Sequence, residues 1–182
     1  MCEIGPGSRR YCAMKRREKA NPLVSGEIMI NITLLPYSIS HEQDCANLIA
    51  ALPEWFGIPE ANAAYLESMN KFPSWVALNE DKVVGVITLT EQFQGSFEIH
   101  FLAVHPDFHR KGIGKLLVQQ VEEVSRQQGG RWLHVKTLSP SHPDPHYGLT
   151  REFYYSLGFS PLFESDTIWG AANPAIILVK KI

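Results

Sequence analysis

The spacing of hydrophobic residues in the first half of the chain predicts a strand followed by two helices. INITLLP, which begins near Ile30, reads as a short strand that Pro36 ends. Ser40 is then a good helix N-cap. The apolar side chains behind it recur at helical spacing: Cys45, Leu48, Ile49 and Leu52. Pro59, at a first-turn position, predicts a second helix that runs through Met69.

A three-stranded meander is predicted next. SWVALNEDKVVGVITLT contains two apolar runs on either side of a short polar turn, which is typical of a hairpin. Gly95 marks a second turn before SFEIHFLAV, the third strand of the meander. Strict alternation in this strand places four side chains on one face: Glu98, His100, Leu102 and Val104. Two polar groups are therefore expected among apolar neighbours.

The second half of the chain mixes helices with strands. An amphipathic helix is predicted from Ile113 to Val124, and RWLHVKTL then reads as a central strand because its apolar run is nearly continuous. The polar loop SPSHPDPHYG leads into the helix LTREFYYSLG, for which Gly158 is the expected C-cap. FSPLF and AIILVKKI are the closing strands. This order predicts an α/β (α+β) fold, in which helices cover both faces of a mixed sheet.

Composition and charge narrow the class of protein. A chain of 182 residues with 45% hydrophobic and 20% charged residues is expected to form one soluble globule. It has no apolar run long enough for a membrane span and no secretory signal core, so we expect no membrane association and a cytoplasmic location. Cys2, Cys12 and Cys45 lack metal-ligand spacing and support no disulfide framework. The net charge of −2 argues against a general grip on nucleic acid.

Positive charge is concentrated at the start of the chain. The basic residues are Arg9, Arg10, Lys15, Arg16, Arg17 and Lys19. They precede any periodic apolar pattern, so we expect a flexible extension over residues 1–28, with a natural start near Met29, and a single domain over residues 29–182. A targeting peptide or a nucleic-acid arm is the alternative, against which the interrupting Glu3 and Glu18 count.

The segment AVHPDFHRKGIGKL, between the third meander strand and the next helix, predicts an anion site. A strand that enters a helix through glycines leaves the first N–H groups of the helix unpaired, with the positive end of its dipole behind them. Gly112 and Gly114 carry no Cβ to obstruct a ligand. Arg110, Lys111 and Lys115 add positive charge. A phosphate or pyrophosphate is the natural ligand, although the segment matches neither GxxxxGK[ST] nor GxGxxG.

The same segment resembles the acyl-coenzyme A signature of the GCN5-related N-acetyltransferase (GNAT) superfamily. That pattern is Gln or Arg, two residues, Gly, one residue, then Gly or Ala. Here its six positions are His109, Arg110, Lys111, Gly112, Ile113 and Gly114. His109 departs from the usual Gln or Arg, and we expect its main-chain N–H to serve instead. The resemblance, which spans residues 30–182, implies a mostly antiparallel sheet of about seven strands that splays between the fourth and fifth.

A second stretch supports the resemblance. The family commonly has Phe-Tyr, three residues, then Gly-Phe at the end of the helix after the fifth strand. This pattern is present as Phe153, Tyr154, Gly158 and Phe159. Two departures precede it, because Tyr147 stands where the family often has Asn and Thr150 where it often has Ala. They bring the details of pantetheine contact into question, and not the fold.

The resemblance also implies roles for individual residues. Main-chain groups of the splayed strand would hold the pantetheine and the thioester oxygen, at positions Leu102, Ala103 and Val104. Residues 110–115 would hold the pyrophosphate. Tyr154 corresponds to the tyrosine that protonates the leaving sulfur, the alternative being a helix aromatic with a satisfied hydroxyl.

Two residues on the third meander strand are candidate bases. Glu98 is expected to act directly or through water, with a pKa raised by its position, unless it is a solvated glutamate or an ion-pair partner. His100 is its partner or substitute, or else a hydrogen-bonded structural histidine.

Other segments are candidates for the acceptor pocket or for a metal site. The loop before the second motif contains His142, Asp144 and His146, but three alternating residues rarely build a closed metal site, so no metal is expected. This loop is instead expected to border the acceptor pocket. Trp55, Phe56, Tyr65, Trp169 and the turn TIWGAANPA are further pocket candidates, unless these aromatics are core or lid packing.

The combined prediction is an acyl-CoA-dependent N-acyltransferase, and specifically an N-acetyltransferase that uses acetyl-CoA as cosubstrate. The acceptor is expected to be a small-molecule or peptide amine, and the resemblance implies a homodimer. Two alternatives stay open. One is a catalytically silent acyl-CoA-binding regulatory module, and the other is a protein that binds a different phosphate-containing ligand or, through its basic N-terminus, nucleic acid.

Overall fold

The structure is a computed structural model that describes residues 19–25 and 28–182, with side chains from residue 31 onward. The strands in that part of the chain are β1 Lys19–Ser25, β2 Ile28–Pro36, β3 Ser74–Asn79, β4 Lys82–Phe93, β5 Ser96–Val104, β6 Trp132–Leu138, β7 Ser160–Ser165 and β8 Ala175–Lys181. The α-helices are α1 Glu42–Ala50, α2 Pro59–Lys71, α3 Ile113–Gln127 and α4 Pro145–Ser156. None of these described helices is long and apolar enough to cross a membrane.

The strands form one mixed sheet in the order β1-β2-β3-β4-β5-β6-β8-β7. Only the β5–β6 pair is parallel, and every other neighbouring pair is antiparallel. The prediction of a mixed, mostly antiparallel sheet is therefore confirmed. The sheet has one strand more than predicted, so the predicted fourth and fifth strands are β5 and β6.

The additional strand, β1, falls within the predicted N-terminal extension. It pairs with β2 over its full length, from Lys19 opposite Leu34 to Ser25 opposite Ile28. The sheet consequently starts ahead of the predicted domain boundary at residue 29. Residues 1–18, which carry most of the basic cluster, lie outside the described residues.

Helices cover both faces of the sheet, as predicted. On one face, α3 buries Ile113, Leu117 and Val121 against β4 and β5, and Tyr154 of α4 joins the same apolar cluster. On the other face, α1 and α2 bury a second cluster that includes Leu48 and Met69. The nearly continuous apolar runs of the central strands make both faces of the sheet apolar. Both faces therefore have to be covered, and the helices cover them.

A β-bulge in β5 corrects the predicted alternation of that strand. Thr88 of β4 lies opposite Phe101, but its neighbour Leu89 lies opposite Ile99, so His100 is the extra residue. The bulge exchanges the two faces of the strand beyond it. Leu102 accordingly packs in the α3 cluster, whereas Phe101 packs in the α1–α2 cluster. The prediction that Leu102 and Val104 share a face with Glu98 was therefore wrong.

The two parallel strands separate immediately beside this bulge. β5 pairs with β6 only from Ser96 to Ile99, opposite residues 132–135. Past this point β5 continues along β4 to Val104, while β6 continues along β8 to Leu138. The predicted splay is thus present, and it begins at His100 and Lys136.

Candidate active site

The turn between β5 and α3 leaves the start of the helix available to an anion. Gly112 is the N-cap of α3 and has a φ of 82°, a left-handed conformation that glycine adopts without strain. No side chain caps the first turn of this helix. Its first N–H groups and the positive end of its dipole are therefore free for a ligand such as a phosphate.

The three cations of this turn surround the helix start. Arg110 and Lys115 are exposed, and Lys111 places its Nζ 4.9 Å from the centre of the Phe108 ring. Within residues 31–182 none of the three cations forms an ion pair. Their charge is thus available to neutralise a bound anion.

Gly114 has a packing role that the sequence did not indicate. A Cβ at this position would lie 3.0 Å from Cζ of Phe153 in α4. The absent side chain therefore lets α4 approach the first turn of α3. Gly114 and Phe153 belong to the two separate motifs, so this contact joins them in space.

His109 occupies the first position of the glycine motif, and its groups are already bonded. Its Nε2 lies 2.7 Å from the carbonyl oxygen of Val104, at the end of β5. Its main-chain N–H donates to Pro106 O at 3.0 Å within a short 3-10 turn. The expectation that this N–H would serve a ligand was therefore wrong. His109 instead fixes the path of the chain from β5 into the turn.

Tyr154 is almost fully buried, with 4% of its surface exposed. It packs edge to face against Phe153 and Phe159, with ring centroids 5.1 and 5.3 Å away. Burial raises the pKa of Tyr154 well above its ordinary value, since the low-dielectric surroundings oppose ionisation. The hydroxyl consequently stays protonated at neutral pH and is able to donate a hydrogen bond.

Glu98 lies at the apex of the splay as a buried ion-pair partner. Its carboxylate is 2.8 Å from Nζ of Lys136 and 3.6 Å from Nε2 of His134, and only 2% of its side chain is exposed. Burial alone would raise the pKa of Glu98, but His134 and Lys136 outweigh it and hold the pKa below its ordinary value. The expected raised pKa was therefore wrong. Sequence reasoning missed both partners, although two polar residues in an otherwise apolar central strand were a signal.

His100 is the bulged residue itself and is half-buried beside α2. Its ring lies 6.1 Å from that of Tyr65 and 6.0 Å from that of Phe72, both edge to face. Burial lowers the pKa of His100, the charge of Glu98 opposes this and the charge of Lys136 adds to it. The imidazole is therefore neutral at neutral pH and can accept a proton.

The loop between β6 and α4 does not gather its candidate metal ligands. Asp144 is the N-cap of α4 and accepts from the N–H groups of His146 and Tyr147. The ring of His146 packs against Trp55, with centroids 5.0 Å apart. Across residues 31–182 no three ligating side chains cluster as a metal site would require.

This loop instead borders a cavity at the ends of β6 and β7. The cavity has a volume of about 490 Å³, and its walls come from the loop after β6, the end of β7 and the turn before β8. The lining residues are Ser141, His142, Pro143, Glu164, Ser165, Asp166, Ala171, Ala172 and Pro174. Two segments that were predicted separately as borders of the acceptor pocket thus meet here. The carboxylates of Glu164 and Asp166 were not predicted.

The aromatic residues predicted near the pocket have different environments. Tyr65 stacks on Phe101 with ring centroids 4.6 Å apart, and Phe56 packs against the same ring at a tilt, with centroids 5.3 Å apart. Both therefore belong to the α1–α2 cluster. Trp169 is 45% exposed in the turn before β8. Trp55 is half-buried in the loop between α1 and α2, from which it reaches α4.

Comparison with known proteins identifies a family. A family model described as the acetyltransferase (GNAT) family matches residues 38–159, more than half of the chain. A comparison with curated protein sequences finds no match.

Solved structures with the same fold are numerous. A candidate GNAT-family acetyltransferase from Desulfovibrio desulfuricans has a TM-score of 0.72 at 20% identity, and the match covers 82% of this chain and 98% of that one. An aminoglycoside 6'-acetyltransferase type Ii has a TM-score of 0.64 at 25% identity, with 81% and 96% covered. A GNAT-family acetyltransferase from Elizabethkingia anophelis with acetyl-CoA bound has a TM-score of 0.62 at 20% identity, with 83% and 98% covered.

Proposed function

Because the chain belongs to the acetyltransferase (GNAT) family, we propose that it transfers an acetyl group from acetyl-CoA to a primary amine by direct transfer in a ternary complex. The observation that carries this proposal is the opening between β5 and β6. The anion-binding turn follows β5 at that end of the sheet, and the helix that holds Tyr154 follows β6. Anion site, open strand edges and a protonated hydroxyl are what acyl transfer from a coenzyme A thioester requires.

The coenzyme-binding groups follow from this arrangement. The pyrophosphate binds the first N–H groups of α3 together with Arg110, Lys111 and Lys115. The edge of β5 that faces the opening has no strand partner beyond Ile99. Main-chain groups point alternately to the two edges of a strand, and the N–H of His105 donates to Val84 O of β4. Main-chain groups of Leu102 are therefore available to the pantetheine amides, whereas those of Ala103, which lies opposite Val86, face β4. The carbonyl of Val104 already accepts a hydrogen bond from His109, so its N–H is the main-chain group left for the coenzyme.

The chemistry requires a proton acceptor for the amine and a proton donor for the sulfur. The neutral amine nitrogen attacks the thioester carbon, the C–S bond breaks, and Tyr154 gives its proton to the departing thiolate. Of the two predicted bases, His100 is favoured because its imidazole is neutral and not held in an ion pair. It takes the proton of the amine directly or through water, while Glu98 stays paired with Lys136.

This assignment predicts a pH dependence. Protonated His100 has no lone pair to accept a proton, so kcat/KM should fall as the pH drops through the pKa of His100, which burial holds below its ordinary value of 6.5. A pH–rate profile measures this acid limb. His100→Gln should remove it and lower the plateau about 100-fold. A variant that keeps both the limb and the rate would show that another group is the base.

The cavity between the β6–α4 loop and the turn before β8 suits a cationic acceptor. Glu164 accepts a hydrogen bond from the Ser141 hydroxyl. Hydrogen bonds from Ser139 and Ser141 hold the pKa of Glu164 below its ordinary value, so this carboxylate is ionised at neutral pH. With Asp166 in the same wall, the cavity attracts a second positive charge on the amine substrate.

Glu164→Gln is therefore expected to raise KM for a polyamine or aminoglycoside acceptor about fivefold, with little change for a neutral amine. Steady-state kinetics with acceptors of different charge provide the measurement. Glu152→Gln, an exposed carboxylate of α4, is the matched control. Equal KM values for wild type and Glu164→Gln would show that the cavity does not bind the acceptor.

The proposed function is tested by calorimetric titration of the protein with acetyl-CoA, followed by measurement of thiol release with a panel of amines. Saturable binding with release for one amine class is the expected result. Binding without release from any amine would favour the silent regulatory module. Absence of binding would overturn the proposal.

A further inference from the structure

Trp55 joins three segments that are distant in the sequence. Its indole Nε1 donates to Thr150 Oγ1 at 3.1 Å, and its carbonyl oxygen accepts from the Tyr147 hydroxyl at 3.0 Å. Its ring also packs edge to face against His146 and His109, with centroids 5.0 and 5.9 Å away. One side chain of the α1–α2 loop thus contacts both α4 and the turn that precedes α3.

Three of these partners are the positions at which the chain departs from its family's motifs, namely His109, Tyr147 and Thr150. They are separated by up to 41 positions in the sequence. In the structure all three contact Trp55. His109 contributes a ring that packs edge to face with the indole. Tyr147 contributes a hydroxyl that donates to the main-chain carbonyl of Trp55, and Thr150 contributes a hydroxyl that accepts from the indole N–H.

The position of Trp55 relates this cluster to the coenzyme. His109 stands at the entry to the anion-binding turn. Tyr147, Thr150 and Tyr154 are spaced three and then four residues apart, so they lie along one side of α4. Trp55 therefore spans from the pyrophosphate end of the opening to the side of α4 that holds the proposed acid.

We propose that Trp55 is a coenzyme-positioning residue. It connects the α1–α2 loop to the two walls of the opening between β5 and β6, here called the coenzyme channel. These walls are the turn at His109 and the helix α4. The inference rests on the proposed function, because it assumes that acetyl-CoA occupies the opening between β5 and β6. The Trp55 indole and the loop that carries it then form the third side of the channel, and they slow the escape of the bound coenzyme.

Graded replacements separate the two kinds of contact. Trp55→Phe keeps a ring beside His109 and His146 but loses the Nε1 donor, so coenzyme A should bind about threefold more weakly. Trp55→Ala loses the ring as well, and the loss should reach about tenfold, mostly as faster dissociation. Thr150→Val removes the acceptor of the Nε1 donor, together with a weak hydrogen bond of 3.4 Å from the Thr150 hydroxyl to the His146 carbonyl within α4, so it should match Trp55→Phe. The two combined should add nothing further.

The experiment is calorimetry of the full chain with coenzyme A, together with steady-state kinetics in acetyl-CoA. Trp132→Phe, at the exposed start of β6, is the matched control and should bind as wild type. The expected result is a raised KM for acetyl-CoA with kcat retained at saturation. Unchanged affinity in Trp55→Ala and Thr150→Val would overturn the inference, as would a fall in kcat without a change in KM.

A second readout does not need an amine substrate. Coenzyme A should change the intrinsic tryptophan fluorescence of the wild type and of Trp132→Phe, and this change should be largely absent in Trp55→Phe. If the change persists in Trp55→Phe while the coenzyme still binds, the inference fails and the proposed function stands. If the wild type does not bind coenzyme A at all, both fail.

Discussion

Replacing Tyr154 with phenylalanine is expected to lower kcat about 100-fold while the affinity for acetyl-CoA stays within about threefold of wild type. The phenyl ring keeps the packing against Phe153 and Phe159, so the fold and the channel are preserved. Only the proton donor is lost, and the thiolate then has to leave unprotonated. Steady-state kinetics give kcat, and calorimetry gives the affinity.

Tyr155 provides the control for this prediction. It is the next residue of α4 and therefore points about 100° away around the helix. Tyr155→Phe should retain wild-type kcat. A normal rate in Tyr154→Phe, or a large loss of acetyl-CoA affinity with kcat unchanged, would show that Tyr154 packs or binds and does not act as the acid.

Replacing Lys136 with methionine is expected to destabilise the protein by about 3 kcal/mol. The side-chain length is kept, but the Glu98 carboxylate, with 2% of its surface exposed, loses its nearest cation and retains only His134 at 3.6 Å. Equilibrium denaturation at neutral pH measures the free energy of unfolding. Lys136→Arg, which retains the charge, should recover most of the loss.

The pH dependence of this difference gives a second test. The pKa of Glu98 is lower in the folded protein than its ordinary value of 4.5, so its ionised form stabilises the fold above that pH. This contribution is lost as the pH falls through the folded-state pKa. In Lys136→Met the buried carboxylate lacks this cation, so its protonation in acid stabilises the folded state. The difference in the free energy of unfolding between wild type and variant should therefore narrow in acid. If the variant is destabilised by less than about 1 kcal/mol at neutral pH, the ion pair contributes no more than an exposed one does.

The parts of the site that the sequence predicted are local ones. A helix opening through Gly112 depends on a positive φ and on unpaired N–H groups, both of which are set within a few residues. The helix around Tyr154 is set in the same way; its C-cap is Leu157, one residue before the predicted Gly158, which follows with a φ of 87°. Such features are readable because the residue that adopts the conformation also causes it.

The predictions that failed concern contacts between strands. The bulge at His100 arises because β4 and β5 pair out of step between Thr88 and Leu89, and no residue type in β5 marks it. The pKa of Glu98 was predicted in the wrong direction because its cation, Lys136, is 38 positions away on a parallel strand. Each residue is recognisable as a polar position in an apolar strand, but no local pattern connects the two.

The sequence by itself determined the succession of strands and helices from β2 onward, the glycine turn at the start of α3 and the helix that carries Tyr154, because short-range periodicity and backbone stereochemistry specify them. Only the tertiary structure decided where β5 and β6 part, which of Glu98 and His100 is held in an ion pair, which loops enclose the cavity and that Trp55 contacts His109, Tyr147 and Thr150. These depend on strand register and on contacts across the chain, where burial and charge pairing act between residues that no local pattern connects.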